Sequence, residues 1–146
     1  MRAHTLLYSS LTMTTTMALM AGAPAHAQKI HMIVEGQVIA ATLTDNPTTR
    51  DLLSMLPLTL MLDDYADTEK IVYLDRKLST AGAPAGSTPK AGTIAYYAPW
   101  GNLAFFYKDF AYSRGLIALG TIDATDAGVA AYKRGGELKV RIERAD

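Results

Sequence analysis

Two β-branched runs, Ile30–Val34 and Val38–Leu43, flank Glu35-Gly36-Gln37, where Gly36 can take a positive φ, and together they predict a hairpin. The stretch "DNPTTRDLLSMLP" predicts one short helix: Asn46 suits an N-cap, Pro47 the first helical position, and Pro57 a stop, with Leu52, Leu53, Met55 and Leu56 as the apolar side. "LTLML" (Leu58–Leu62) and "EKIVYL" (Glu69–Leu74) read as strands on either side of an acidic turn, "DDYADT". "TIAYYA" and "LAFFY" are aromatic-rich strands around the corner "PWGN", and "LIALGTI" (Leu116–Ile122) is another apolar strand. "DATDAGVAAYKRGG" predicts a second short helix ending at Gly135-Gly136, with Lys133 and Arg134 near its C-terminus as the helix dipole favours. "ELKVRIER" alternates cleanly, with Leu138, Val140 and Ile142 on one face and Lys139, Arg141 and Glu143 on the other.

Seven or eight short strands and two short helices predict a mainly β fold, a small, closed, mostly antiparallel barrel. A sandwich satisfies the same pattern. No repeat or internal boundary divides residues 28–146, which read as one domain. The segment Ser79–Gly92, "STAGAPAGSTPKAG", has no periodicity and is long for a connection in a compact domain, the length of a loop that covers another surface.

The run "YYAPWGNLAFFYKDF" holds seven of the twelve aromatic residues, including the one tryptophan and all three phenylalanines. Strand alternation puts Ile94 and Tyr96 opposite Ala95 and Tyr97, and Leu103, Phe105 and Tyr107 opposite Ala104, Phe106 and Lys108. Only one set can fill a barrel. The other must lie under a helix or loop, or form a surface patch of the kind that marks binding. Trp100 and Tyr97, beside the "APWGN" corner, are the residues most suited to a site.

The first residues change the picture of where such a domain works. Arg2, an uncharged and moderately apolar stretch from Leu11 to Ala23, and the sequence Ala25-His26-Ala27 have the layout of a secretory signal peptide spanning residues 1–27, cleaved after Ala27. The apolar stretch is too short and too rich in threonine for a membrane span. A cut there leaves 119 of the 146 residues, enough for one core, and places the protein in the periplasm or outside the cell. The shortened chain carries 13 basic and 14 acidic side chains, a net charge of −1 with no footprint for nucleic acid or an anionic membrane. Partners are expected to be small molecules or peptides. With no cysteine there is neither disulfide nor thiolate chemistry, and a domain of this length folds without staples.

Candidate catalytic chemistry is sparse. His4 and His26 leave with the leader, and His31 stands alone in the first predicted strand without a matching Ser or Asp motif. Asp63, Asp64, Asp67 and Glu69 gather in "DDYADTE" but lack the spacing and central glycine of a calcium loop, so a solvated turn is expected and no metal or cofactor. "GAPAG" lacks the lysine and the following helix of a phosphate cradle. Arg50, Arg76, Lys77 and Arg114 are isolated cations; Arg114, beside Tyr112 in "YSRG", lies at a strand-to-strand transition where its fork can meet a carboxylate or carbonyl.

"AGTIAYYAPWGNLAFFYKDF", preceded by "TLTDNPTTRDLLSMLPLTLMLDDYADTEKIVYLDRKLS" and followed by "YSRGLIALGTID", resembles the bacterial cyclophilin-like fold family of small domains of uncharacterised function. The likeness runs from Ile30 to Arg144, with Ala91 and Thr93 standing where the pattern usually has acidic residues before the tyrosines. It implies a closed eight-stranded β-barrel with short helices over its ends. True cyclophilins are prolyl cis/trans isomerases, but their Phe-His-Arg and Gln-Gly-Gly segments are missing from this chain. The expected function is therefore an exported, non-catalytic binding module with Tyr97, Trp100, Asn102 and Arg114 as its site; a prolyl isomerase with a diverged site is the alternative.

Overall fold

The computed structural model describes residues 26–145. The expected signal peptide, residues 1–27, lies outside the described residues but for its last two positions. The elements in chain order are β1 (Gln28–Val34), β2 (Gln37–Leu43), α1 (Pro47–Met55), β3 (Leu58–Tyr65), β4 (Glu69–Tyr73), β5 (Gly86–Ser87), β6 (Thr93–Tyr97), β7 (Asn102–Phe106), β8 (Ser113–Arg114), β9 (Leu116–Ile122), α2 (Thr125–Tyr132) and β10 (Leu138–Arg144). Eight strands close a barrel in the order β1-β10-β3-β4-β7-β6-β9-β2, and β5 pairs with β8 in a separate two-stranded sheet. Every barrel pairing is antiparallel, and the pairing of β1 with β2 closes the ring, which decides between the barrel and the sandwich.

Local chemistry accounts for most of the boundaries. The β1–β2 hairpin turns on Glu35 and Gly36 alone, because Gln37 already pairs with Val34. Asn46 caps α1 by accepting a 2.8 Å hydrogen bond from the Thr49 amide. One expectation needs correcting: "DDYADT" is not a turn throughout. β3 continues through Asp63, Asp64 and Tyr65, which pair with Ile71, Lys70 and Glu69, and the turn is only Ala66-Asp67-Thr68, with Ala66 and Asp67 both at φ 52°. The β3–β4 hairpin is thus longer than hydrophobicity alone indicates, since its outer end faces water and is built from polar residues.

The alternation in "TIAYYA" and "LAFFY" divides the aromatic run as expected. Ile94, Tyr96, Leu103, Phe105 and Tyr107 join the main core with Ile30, Met32, Leu43, Leu119 and Val140. Fully burying each such side chain is worth about 1.5–3 kcal/mol. Leu52 and Leu53 of α1 and Val129 and Tyr132 of α2 enter the same core. α1 follows β2 and α2 follows β9, which runs antiparallel to β2, so the helices leave from opposite ends of the barrel. Buried hydroxyls find partners: the Tyr96 hydroxyl accepts from the Leu78 amide at 3.1 Å, and that of Tyr132 donates to the Phe106 carbonyl at 2.7 Å. Lys70 is fully buried, with its Nζ 2.6 Å from the Gly136 carbonyl and 3.1 Å from Asp64 Oδ2.

Ala95, Ala104, Phe106, Ile71 and Leu116 form a second cluster on the other face of the same strands, with Tyr97 packed against it. This face looks outward from the barrel, yet Ala95 and Ala104 are fully buried and Phe106 nearly so. The 79–92 segment is part of the reason. Its Gly86–Ser87 strand pairs with Ser113–Arg114, Ser87 Oγ donates to the Leu116 carbonyl at 2.9 Å, and the Gly115 amide donates to the Ala85 carbonyl at 2.8 Å. The long loop is pinned beside the outer face of the barrel, as its length predicts.

Candidate functional site

Cross-strand pairing orders the outer face into rows. One row runs Tyr65–Glu69–Phe106 across β3, β4 and β7, and another runs Tyr73–Asn102–Tyr97–Leu116 across β4, β7, β6 and β9. Directly paired residues point to the same side, with Cβ atoms about 5 Å apart. Between the rows lie Ile71, Ala104 and Ala95. The two alanines keep the floor low, and the long side chains on either side stand above it.

Trp100 is aimed at this floor by its corner. The Gly101 amide donates to the Tyr97 carbonyl at 2.9 Å, and Gly101 sits at φ 71°, a conformation that favours glycine and reverses the chain in four residues. The indole packs edge-on against both Tyr97 and Tyr65, each with ring centroids 5.3 Å from it. Tyr65 belongs to the row four strand residues away, a separation of about 13 Å along the sheet. The two rings therefore lean toward each other over the alanine floor and meet. Beside them opens a cavity of about 230 Å³ lined by Tyr65, Thr68, Glu69, Tyr97, Trp100, Asn102, Phe106, Phe110, Ser113 and Leu116, with Ala66 at its edge. Trp100 remains 45% exposed, Tyr65 41% and Phe110 50%, so the aromatic rim is open to solvent.

Two polar groups in the wall have unusual surroundings. Glu69 is half-buried beside Tyr65 and Phe106, and no hydrogen bond or ion pair reaches its carboxylate among the described residues; burial pushes its carboxyl up to about 7. Asn102 is fully buried and donates through Nδ2 to the Leu103 carbonyl at 3.1 Å, while its Oδ1 accepts no hydrogen bond from the described residues. An acceptor buried in this way costs about 1–3 kcal/mol until a donor reaches it.

Three of the four residues expected to form the site, Tyr97, Trp100 and Asn102, line this cavity together. Arg114 does not. Its neighbour Ser113 faces the cavity, and alternation along β8 turns the exposed Arg114 the other way. Of the other cations, Arg50 pairs with Asp45 at 2.6 Å and Arg76 forms a two-pronged contact with Asp51 at 2.7 and 3.0 Å. The Arg76 hydrogen bonds, aided by the Ser79 amide, hold the Asp51 carboxyl below the usual carboxylate range. His31 is a half-buried strand residue of β1, opposite Glu143.

The acidic cluster disperses. Asp64 accepts from Lys70, from the Tyr107 hydroxyl at 3.0 Å and from the Gly136 amide at 3.2 Å; burial pushes its carboxyl up, but these bonds outweigh that and hold it below its ordinary value. The same burial, with the carboxylate beside it, pushes Tyr107 up to about 12. Asp67 meets Lys108 at 3.0 Å, and Glu69 turns into the cavity. Tyr65, Glu69, Phe110 and Ser113, with Ala66, Thr68, Phe106 and Leu116, are the lining residues that sequence reasoning missed. The signal available for the first two was the pairing register of an extended β3–β4 hairpin.

A closed eight-stranded antiparallel barrel with an aromatic cavity on its outer face is the class of domain these observations define. The chain belongs to the cyclophilin-like family, whose family model matches residues 32–143. Among solved structures it is similar to that of a hypothetical protein from Archaeoglobus fulgidus, determined in solution, with 16% sequence identity and a TM-score of 0.58 over 82% of this chain and 95% of that one. At that identity the likeness shows the fold alone. No curated protein matches the chain. Among the described residues, no helix is long and apolar enough to cross a membrane, and no group of three or more ligating side chains gathers as a metal site would require.

Proposed function

We propose that this domain is a binding module that takes a small molecule or a short peptide group into the cavity under Trp100 and Tyr65, and that it performs no chemistry on what it binds. The observation that carries this reading is the convergence of a half-exposed aromatic rim on a wall with two unpartnered polar groups, Glu69 and the Asn102 Oδ1. Aromatic walls with a few placed polar atoms are the usual composition of a ligand site.

Trp100 is the sole tryptophan, so its fluorescence reports on this cavity alone. Titration with a library of small molecules and short peptides is expected to shift or quench its emission saturably. A blue, rigid emission that no compound changes would overturn the reading. Prolyl isomerisation rests on the family alone: Arg50 is paired elsewhere and Arg114 faces away, so neither offers a donor to a twisted amide in the cavity. A proline-peptide assay is expected to show no acceleration over the uncatalysed tens of seconds.

Export belongs to the same proposal. β1 begins at Gln28, so a cut after Ala27 leaves the whole barrel intact. Intact-mass analysis of periplasmic protein is expected to give a chain starting at Gln28, and a retained Met1 would end that part of the proposal.

A further inference from the structure

We infer that the cavity takes a small organic cation, an alkylated ammonium head group held against the rings of Tyr65 and Trp100 with the Glu69 carboxylate as its counter-ion. The inference rests on the binding reading above and adds the charge and class of the ligand.

The first observation is the sign of the wall. Of the residues lining the cavity, Glu69 is the only one with a formal charge; no lysine, arginine or histidine stands among them. Its acidic neighbours already have cations, Asp64 in Lys70 and Asp67 in Lys108, whereas Glu69 has none among the described residues. A carboxyl that has lost water without gaining a partner is held up near neutrality, as this one is, and an entering cation would restore what burial removed. An anionic ligand would meet only repulsion.

The second observation is the rings. Tyr65 is the direct cross-strand partner of Glu69, and Trp100 packs edge-on against Tyr65, so two aromatic side chains line the same cavity as the carboxylate. Phe106, paired to Glu69 from the other side, adds a third. Indole and phenol faces attract cations through their quadrupoles, most strongly where water is excluded. A hard metal ion has no use for such walls, while an alkylated ammonium presents both a charge and an apolar surface. The third observation is size: at about 230 Å³ the cavity falls below the roughly 300–1,000 Å³ of sites for drug-sized ligands, so it suits a single head group.

Choline and its neutral isostere 3,3-dimethylbutan-1-ol have the same shape and differ in charge, which makes them the probes. Each is titrated into the full chain and into Glu69→Gln, with Trp100 emission as the readout and a thermal melt confirming that the variant folds. Choline is expected to bind at least tenfold more tightly than the isostere, and Glu69→Gln to bring choline down to the isostere's affinity while leaving the isostere unchanged. Equal binding of the two probes, or indifference of choline to Glu69→Gln, overturns the cation inference. If neither probe binds but a neutral library compound does, the cation inference falls and the binding reading stands. If nothing changes Trp100 emission, both fall.

Discussion

Replacing Glu69 with glutamine should make the protein more stable at neutral pH, and the size of the gain follows from the structure. The variant keeps the shape and removes the charge that burial penalises. In the folded protein the carboxyl titrates at about 7 instead of 4.5. A raised acid contributes stability that is fully present below the unfolded value and is lost as pH rises through the folded one. The loss therefore runs from about pH 4.5 to about pH 7 and is constant above. At about 1.4 kcal/mol per unit the shift corresponds to roughly 3 kcal/mol for a fully buried group. Glu69 is only half-buried at an open rim, and solvent screening reduces this to about 1–2 kcal/mol.

Urea denaturation of both proteins between pH 4 and 8.5 measures it. The difference between the two curves isolates Glu69, because every other titrating group is common to both. The variant should match the wild type near pH 4 and exceed it by about 1–2 kcal/mol at pH 8. Parallel curves across the range would refute the claim that this carboxyl is buried without a partner.

Trp100→Ala removes two edge-on ring contacts of about 0.5–1.5 kcal/mol each from a half-exposed residue, so a loss of about 1–3 kcal/mol is expected by denaturation followed by circular dichroism, with the barrel retained. Tyr96→Phe leaves the Leu78 amide without its acceptor inside the core and should cost about 1–3 kcal/mol in the same assay; an unchanged midpoint would contradict the 3.1 Å hydrogen bond. Gly120→Ala drives a methyl into the Thr42 carbonyl and the Leu43 backbone, where β2 and β9 pair closely, so expression of soluble protein should fall sharply; Ala118→Ser, an exposed change on the same strand, should have little effect.

The barrel was legible in the sequence because its evidence is local. Period-two alternation separated Tyr96 and Phe105 from Tyr97 and Phe106, and Asn46-Pro47 marked the start of α1. One corner of the cavity wall was legible for the same reason, since Tyr97, Trp100 and Asn102 lie close together in the chain. The rest comes from elements whose role exists only after folding. Asp63 to Tyr65 looked like a solvated turn because that end of β3 is largely polar, and the true turn, Ala66-Asp67-Thr68, has no glycine to announce it. Phe110 and Ser113 lie in a stretch without periodicity and reach the cavity through the pairing of β8 with β5, a contact across more than twenty residues. Arg114 stands one position of alternation from the cavity: once Ser113 faces in, its neighbour faces out.

The central claim is that the outward aromatic set around Trp100 forms a ligand site, separate from the set that fills the barrel. Backbone amide shifts in ¹H–¹⁵N NMR spectra, recorded during a screen of small organic compounds, test it most directly. Binding should perturb Tyr65, Glu69, Trp100, Asn102, Phe110 and Ser113 together while leaving the β1–β10 side of the barrel unmoved. Compounds that bind only elsewhere on the surface, with these six amides unshifted, would contradict the account.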